Sequence, residues 1–327
     1  MTMRELARLA NVSVSTVSKA FHDADDVSAE TKKLVFDTAK QHGCYGKFYK
    51  GKFHKQIIAI ICPELNNSLY TVYVERLQRI IEDNDGIALI SADSFSPAVQ
   101  AELVDYYASY LQVDGLIVFH LRSSLKKGYE IPIVSLFSSC DTTIDTVQVD
   151  LDAPIFEAVG LLRSLGHERI AFIGESLTTK RAELFCKAVE ESGAVPYRIH
   201  SEYRFEKAGE DGARLLLAQA PACTAIICAY DSIAIGAIRY LKRHGYSVPK
   251  DFSVIGSDNI RVAEHSETSL TTIDTNLDEV CMIAWDIIQK KQQSKFYRST
   301  QSITISGRLI VRETVGIINP RDGLREL

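Results

Sequence analysis

The sequence predicts an all-α helix-turn-helix head joined to an α/β body of two doubly wound lobes, on three observations. Residues 3–45 hold three short amphipathic helical patterns separated by turn residues. From Ile57 onward, apolar runs of strand length alternate with amphipathic helices in two successive series, the pattern of open parallel sheets covered on both faces. Charge divides along the same line. Residues 1–55 carry ten Lys/Arg against six Asp/Glu, and the remainder 27 against 36, an asymmetry hidden within a net charge of −5. A basic head on an acidic body suits a chain that meets phosphate with one end only.

The first predicted helix opens at Thr2, whose pairing with Glu5 makes a capping box, and carries Leu6, Leu9 and Ala10 at helical spacing. Asn11-Val12 breaks the run, and asparagine tolerates the positive φ that a tight interhelical turn demands. Ser13 caps a second helix in which Val17, Ala20 and Phe21 share one face, leaving Ser15, Thr16, Ser18 and Lys19 on the other. Small hydroxyls and one lysine suit the major groove, where they reach phosphate oxygens and base edges. A third helix starts at Ser28, packs Leu34, Val35 and Thr38 or Ala39 inward, and stops at Gly43. The stretch 45–56 then holds Lys47, Lys50, Lys52 and Lys55 without an acid, interleaved with aromatics. It favours the DNA backbone electrostatically.

In the body, strands are expected at 57–62, 87–91, 115–119, 131–135 and 146–149, with helices at 71–84 and 97–112 between them. A second series has helices at 154–165, 178–192, 209–219 and 231–245 with strands at 169–174, 224–229 and 252–257. A last helix at 277–291 and the strands after it cross back between lobes. Open sheets of this kind bind ligands outside the carboxyl ends of their strands. His167, in a turn before a strand, is expected to make a structural hydrogen bond, and Trp285, in an amphipathic helix, to be core.

Hydrophobic residues make up 46% of the 327 and charged residues 24%, enough for sizeable cores, and no apolar run approaches the ~20 residues that span a bilayer. The charged start MTMRELARLA is not a secretory leader, so the cytoplasm is expected. Seven cysteines are scattered singly, without a C-x-x-C pair or zinc-ligand spacing, and no metal or cofactor is implied. Phosphate-binding glycine loops, H-E-x-x-H and G-x-S-x-G are absent, so no catalytic residue is assigned and an enzyme is the disfavoured class.

The run Val12-Ser13-Val14-Ser15-Thr16-Val17-Ser18, set within MRELARLANVSVSTVSKAF and followed by VSAETKKLVFDTAKQHGC, resembles the head of the LacI/GalR family of bacterial transcription regulators. Val113-Asp114-Gly115, Leu165-Gly166-His167-Glu168-Arg169-Ile170-Ala171, Ala229-Tyr230-Asp231, Val254-Ile255-Gly256-Ser257-Asp258 and Leu270-Thr271-Thr272 resemble its effector domain, which is periplasmic-binding-protein-like. The resemblance implies Val14, Ser15 and Lys19 as base readers, Ser13, Thr16 and Ser18 as phosphate contacts, and Arg181 and Asp231 as effector ligands, with Asp258 beside them. Ser68 and Tyr70, after the first strand, and Phe205, as a stacking ring, complete the expected effector site, while Lys47 and Lys50 join the DNA-binding set.

The implied organisation is a DNA-binding domain at 1–46, a basic linker at 47–56, and an effector-binding and dimerisation domain at 57–327. Its first lobe covers about 57–149 plus 275–300, and its second about 150–274 plus 301–318. The linker lacks the family's N-x-x-A-R-x-L pattern, leaving either a flexible basic tether or an aromatic wedge at Phe48 or Phe53. The expected protein is a cytoplasmic homodimeric repressor of a pseudo-palindromic operator, switched by a small ligand between the lobes, a carbohydrate by default. Leu184, Tyr230 and Lys180 depart from the family pattern and leave open a different sugar or a charged or phosphorylated ligand, and a nucleobase or a phosphoprotein corepressor is the separate alternative. A transport-type binding protein is disfavoured by the head.

Overall fold

The computed structural model describes residues 1–49, 55–125, 129–220, 222–265, 268–294, 297 and 299–318. The head contains α1 (Met3–Leu9), α2 (Val14–Phe21), α3 (Ala29–Gln41) and α4 (Tyr45–Tyr49). Its caps follow the sequence: Thr2 and Glu5 form the capping box, and the Ser13 and Ser28 hydroxyls accept from the Thr16 and Thr31 N–H groups. Asn11 makes the turn at φ 51°. Leu6, Ala7, Ala10, Val17, Ala20, Phe21, Val35 and Ala39 are buried in one core. Two expected core residues face outward instead, Leu9 at 45% exposure and Leu34 at 51%. In helices this short the small neighbours Ala7 and Ala39 allow closer approach, and the buried stripe rotates onto them.

Residues 45–49 form a helix, and Phe48 is packed on Phe21 with ring centroids 5.5 Å apart, inside an aromatic cluster that includes Phe36 and Tyr45. A ring held in that cluster is not presented as a wedge. Phe53 and Lys50 lie outside the described residues.

The body continues with β1 (Gln56–Cys62), α5 (Ser68–Asp83), β2 (Gly86–Ala92), α6 (Pro97–Asp105), β3 (Gly115–Leu121), β4 (Ile133–Ser139) and β5 (Asp145–Asp150). Then come α7 (Asp152–Ser164), β6 (Arg169–Gly174), α8 (Thr179–Glu191), β7 (Val195–His200), α9 (Phe205–Gln219), β8 (Ala225–Cys228), α10 (Asp231–Arg243), β9 (Ser253–Ser257), α11 (Arg261–His265) and β10 (Thr271–Asp274). The chain closes with α12 (Leu277–Gln293), β11 (Ser302–Ser306) and β12 (Arg308–Ile310). Two six-stranded sheets result, ordered β11-β5-β4-β3-β1-β2 and β12-β10-β9-β8-β6-β7. In both, the second strand of the series lies at one edge and the first pairs on either side in parallel, the doubly wound pattern. β12 adds to β10 antiparallel.

Contacts divide the chain into two units: Met1–Glu64 with Val74–Thr146 and Cys281–Ser302, and Leu65–Tyr73 with Val147–Val280 and the residues from Ile303 on. Ile58 to Cys62 are all buried, which is why β1 reads as an unbroken apolar run. The edge strand β7, with Pro196 and a largely polar face, carries no such signal and was not foreseen. Nor was the widening of the expected helix 97–112 into a π-helix at Tyr106–Leu111, ended by Gln112 at φ 52°. Asp114 then locks the entry to β3: its N–H donates to Ile57 O at 2.7 Å and its Oδ2 accepts from Ile57 N at 2.8 Å.

In the second unit α9 and α10 touch backbone to backbone. A Cβ on Gly209 would collide with Ile233 O, and one on Gly236 with Glu206 O, so each helix places a glycine under the other's chain. His167 is buried with Thr224 Oγ1 and Ser253 Oγ each 2.9 Å from its ring nitrogens, and burial lowers its pKa. Trp285 is core.

Candidate DNA-reading face and effector site

On α2 the buried face is Val17, Ala20 and Phe21, so Val14, Ser15, Thr16, Ser18 and Lys19 lie along the remainder of the helix. Val14 is 42% exposed at the first turn, an apolar group suited to a thymine methyl. Ser13 and Thr16 hydroxyls are 2.7 Å apart beneath it. Lys19 is paired with Asp26 of the following turn. Lys47, on α4, donates to Met1 O at 3.2 Å, which returns the basic helix to the chain start.

In the second unit, residues at the carboxyl ends of β6, β8 and β9 gather into one polar group. Glu175 follows β6 directly, Tyr230 stands at the N-cap of α10 after β8, and Asp258 follows β9. Arg181, from α8, donates to Ala229 O, lies 3.6 Å from Asp258 Oδ1 and places its guanidinium over the Tyr230 ring, 5.3 Å from the centroid. Arg204 donates from Nε to Glu175 Oε2 at 3.0 Å and covers the ring of Phe205 at 4.5 Å. Phe205 opens α9 at φ 54°, and Asp258 and Asn259 are left-handed at 111° and 51°, so strained backbone concentrates at this edge.

The electrostatics follow from burial. Asp258 is 6% exposed, its Oδ1 has no hydrogen-bond partner, and burial pushes its carboxyl up to about 7 against the pull of Arg181. Burial likewise raises the Tyr230 phenol to about 12. A carboxylate short of a donor beside a forked guanidinium offers both halves of a hydroxyl's hydrogen-bonding needs.

Asp231, expected as an effector ligand, makes contacts within the protein through both oxygens. Its carboxylate is fully buried and both oxygens are occupied, Oδ2 accepting from Ile260 N at 2.8 Å and Oδ1 from Thr272 Oγ1 at 2.5 Å. Burial, and then the charge of Asp258, raises its pKa. These bonds tie the 258–260 turn and β10 to the carboxylate, one residue inside the α10 N-cap. Ser68 is exposed at the start of α5, whereas Tyr70 is buried, with 8% of its surface accessible, and presents little ring to a ligand.

The first unit carries a group that sequence reasoning missed. Asp93, directly after β2, is fully buried and accepts from Arg122 Nη1 at 2.7 Å, Gln100 Nε2 at 2.7 Å and Phe95 N at 2.9 Å. Arg122, directly after β3, lies 5.4 Å from the Phe95 ring centroid. An acid and a base each one residue beyond an apolar strand was the available signal.

Residues 2–45 match the description "Bacterial regulatory proteins, lacI family", and residues 159–315 match "Periplasmic binding protein-like domain". The HTH-type transcriptional repressor CytR of Escherichia coli strain K12 is 27% identical over 290 residues, covering 83% of this chain and 84% of its own. The HTH-type transcriptional regulator DegA of Bacillus subtilis strain 168 is 27% identical over 341 residues, covering 97% and 99%.

The chain carries a lacI-family helix-turn-helix head and a periplasmic-binding-protein-like domain, and its curated relatives are lacI-family regulators.

A ribose-bound LacI family transcriptional regulator from Enterococcus faecium shares the body fold at a TM-score of 0.69 and 20% identity, over 81% of this chain and 100% of that one. These relatives are transcription regulators rather than enzymes, and the head identifies this chain as a DNA-binding transcription regulator. Among the described residues no helix is long and apolar enough to cross a membrane.

Proposed function

We propose that this protein is a lacI-family repressor that binds a pseudo-palindromic operator as a homodimer and is released by a small polyhydroxylated ligand, a sugar or sugar derivative, held at the carboxyl edge of its second sheet. The observation that carries the ligand class is the buried Asp258 carboxylate with one oxygen lacking a donor, 3.6 Å from Arg181. A ligand hydroxyl donates to that oxygen and accepts from the guanidinium, while Tyr230 and Phe205 offer ring faces to the C–H side of a sugar. Ribose in the Enterococcus faecium relative supports the class. Arg181, Asp258, Tyr230 and Phe205 are the proposed contacts, Ser68 a further hydroxyl partner, and Asp231 their support.

In the head, Val14, Ser15 and Lys19 read bases, while Ser13, Thr16, Ser18 and Lys47 hold phosphates. One small head covers too few base pairs for a specific site, hence the dimer and the paired half-sites. Coupling of ligand and DNA binding of this kind amounts to ~1–3 kcal/mol.

The test begins with thermal-shift screening of pentoses, hexoses, their phosphates and nucleosides, then repeats any hit on Arg181→Ala and Asp258→Asn. A sugar that stabilises the wild type and neither variant supports the site. Stabilisation only by nucleosides, or a sugar response that survives both substitutions, overturns it. Fluorescence anisotropy on a duplex selected from a random pool then reads the switch, with weaker DNA binding expected when the sugar is present.

A further inference from the structure

The recognition helix ends beside an acidic turn. Residues 22–27, between α2 and α3, contain Asp23, Asp25 and Asp26. Asp23, at φ 56°, pairs with Lys32 at 3.0 Å. Asp26 accepts from Lys19 through Oδ2. Lys19 is the sole Lys or Arg in the α2 sequence, so the cation that the base-reading face offers is engaged by a carboxylate before DNA arrives. The Lys19 and Asp26 side chains are 48% and 57% exposed, which leaves the pair open to exchange of partners. The hydrogen bond from Lys19 holds the Asp26 carboxyl below its ordinary value, so it remains ionised at neutral pH.

We infer that Asp26 is a specificity-determining residue that acts through Lys19. An ammonium on a flexible four-carbon stem is a point charge that any phosphate attracts. Paired with Asp26, the tip carries no net charge, and its pull toward arbitrary backbone falls. Lys19 gives up the carboxylate where a base edge offers paired acceptors, as guanine does with O6 and N7. Asp26 is thus a positioning residue for Lys19, and the inference rests on Lys19 being a base contact.

The experiment uses the full chain, a poly(dA·dT) duplex as the sequence-neutral probe, and selection from a random duplex pool. Asp26→Asn is expected to tighten poly(dA·dT) binding about three- to tenfold at fixed salt, to steepen the slope of log K against log salt by about one, and to erase a G·C preference at one position per half-site. Asp25→Asn serves as the control for loss of charge alone and is expected to leave the selected sequence intact. In a Lys19→Ala background the Asp26→Asn effect should shrink to that of Asp25→Asn. Equal effects of the two asparagine variants on both readouts, or an undiminished Asp26→Asn effect without Lys19, would overturn the inference. If Lys19→Ala leaves the selected sequence unchanged, the reading of Lys19 fails and carries this one with it. If Lys19→Ala erases the preference and Asp26→Asn keeps it, the inference about Asp26 alone fails.

Discussion

Replacing Asp231 by alanine separates support from recognition. The substitution leaves the Ile260 N–H and the Thr272 hydroxyl without their acceptor in a site with no access to water. Hydrogen bonds to a charged group contribute about 1.5–3 kcal/mol each. The gain from no longer burying a carboxylate, whose ionisation both burial and Asp258 oppose, offsets part of that loss. A net destabilisation of about 2–4 kcal/mol follows, and at 2–4 °C per kcal/mol for a unit of this size the midpoint falls by roughly 5–15 °C. Asp231→Asn, which keeps one carbonyl acceptor, should lose less. Arg181→Ala, taken from a half-buried side chain at the ligand edge, should leave the midpoint within a few degrees while abolishing the ligand-induced shift. Circular dichroism melts of the three variants, with and without the best sugar from the screen, make the comparison. An Asp231→Ala protein that melts with the wild type but no longer senses ligand would refute the supporting role and restore Asp231 as a ligand contact.

Two further outcomes are expected. Asp258 has its carboxyl raised from 3.8 to about 7, so the unliganded fold loses stability as pH rises from the unfolded value through 7, and a ligand that donates to the ionised form expels a proton. Calorimetry near pH 7 in two buffers of different ionisation enthalpy should show proton release and weaker binding at pH 6 than at pH 8, and binding with no net proton release would refute it. Gly236→Ala drives a Cβ into Glu206 O, and overpacking of this kind costs about 1–3 kcal/mol, read as a lower urea midpoint with an unchanged m-value. An unchanged midpoint would mean that α9 and α10 yield to the extra methyl.

The head was legible because its signals are local. Ser13 and Ser28 cap helices through their own side chains, and Asn11 adopts its turn without help from distant residues. The alternating strands were legible for the same reason, since a strand buried on both faces must be apolar throughout. The remainder depends on packing that periodicity does not encode. Leu9 and Leu34 sit at helical spacing yet face outward because smaller neighbours took the core positions, and β7 lies at a sheet edge where no apolar run is required. At the candidate site, an aspartate that follows a strand reads the same whether it grips a ligand or a turn. The structure adds their partners: both Asp231 oxygens accept protein donors, whereas one oxygen of Asp258 lacks a donor among the described residues.

The two glycines between α9 and α10 also set how such a site can diversify. Because Gly209 and Gly236 let the two backbones meet, Phe205 at the start of one helix and Tyr230 at the cap of the other are carried on a single stiff frame. New ligand preferences on this frame are a matter of exchanging rings and charges at fixed anchor points, with no loop to redesign. The same stiffness gives a poorly fitting ligand little room to shift the frame, so fit is set by backbone placement as well as by the side chains carried on it.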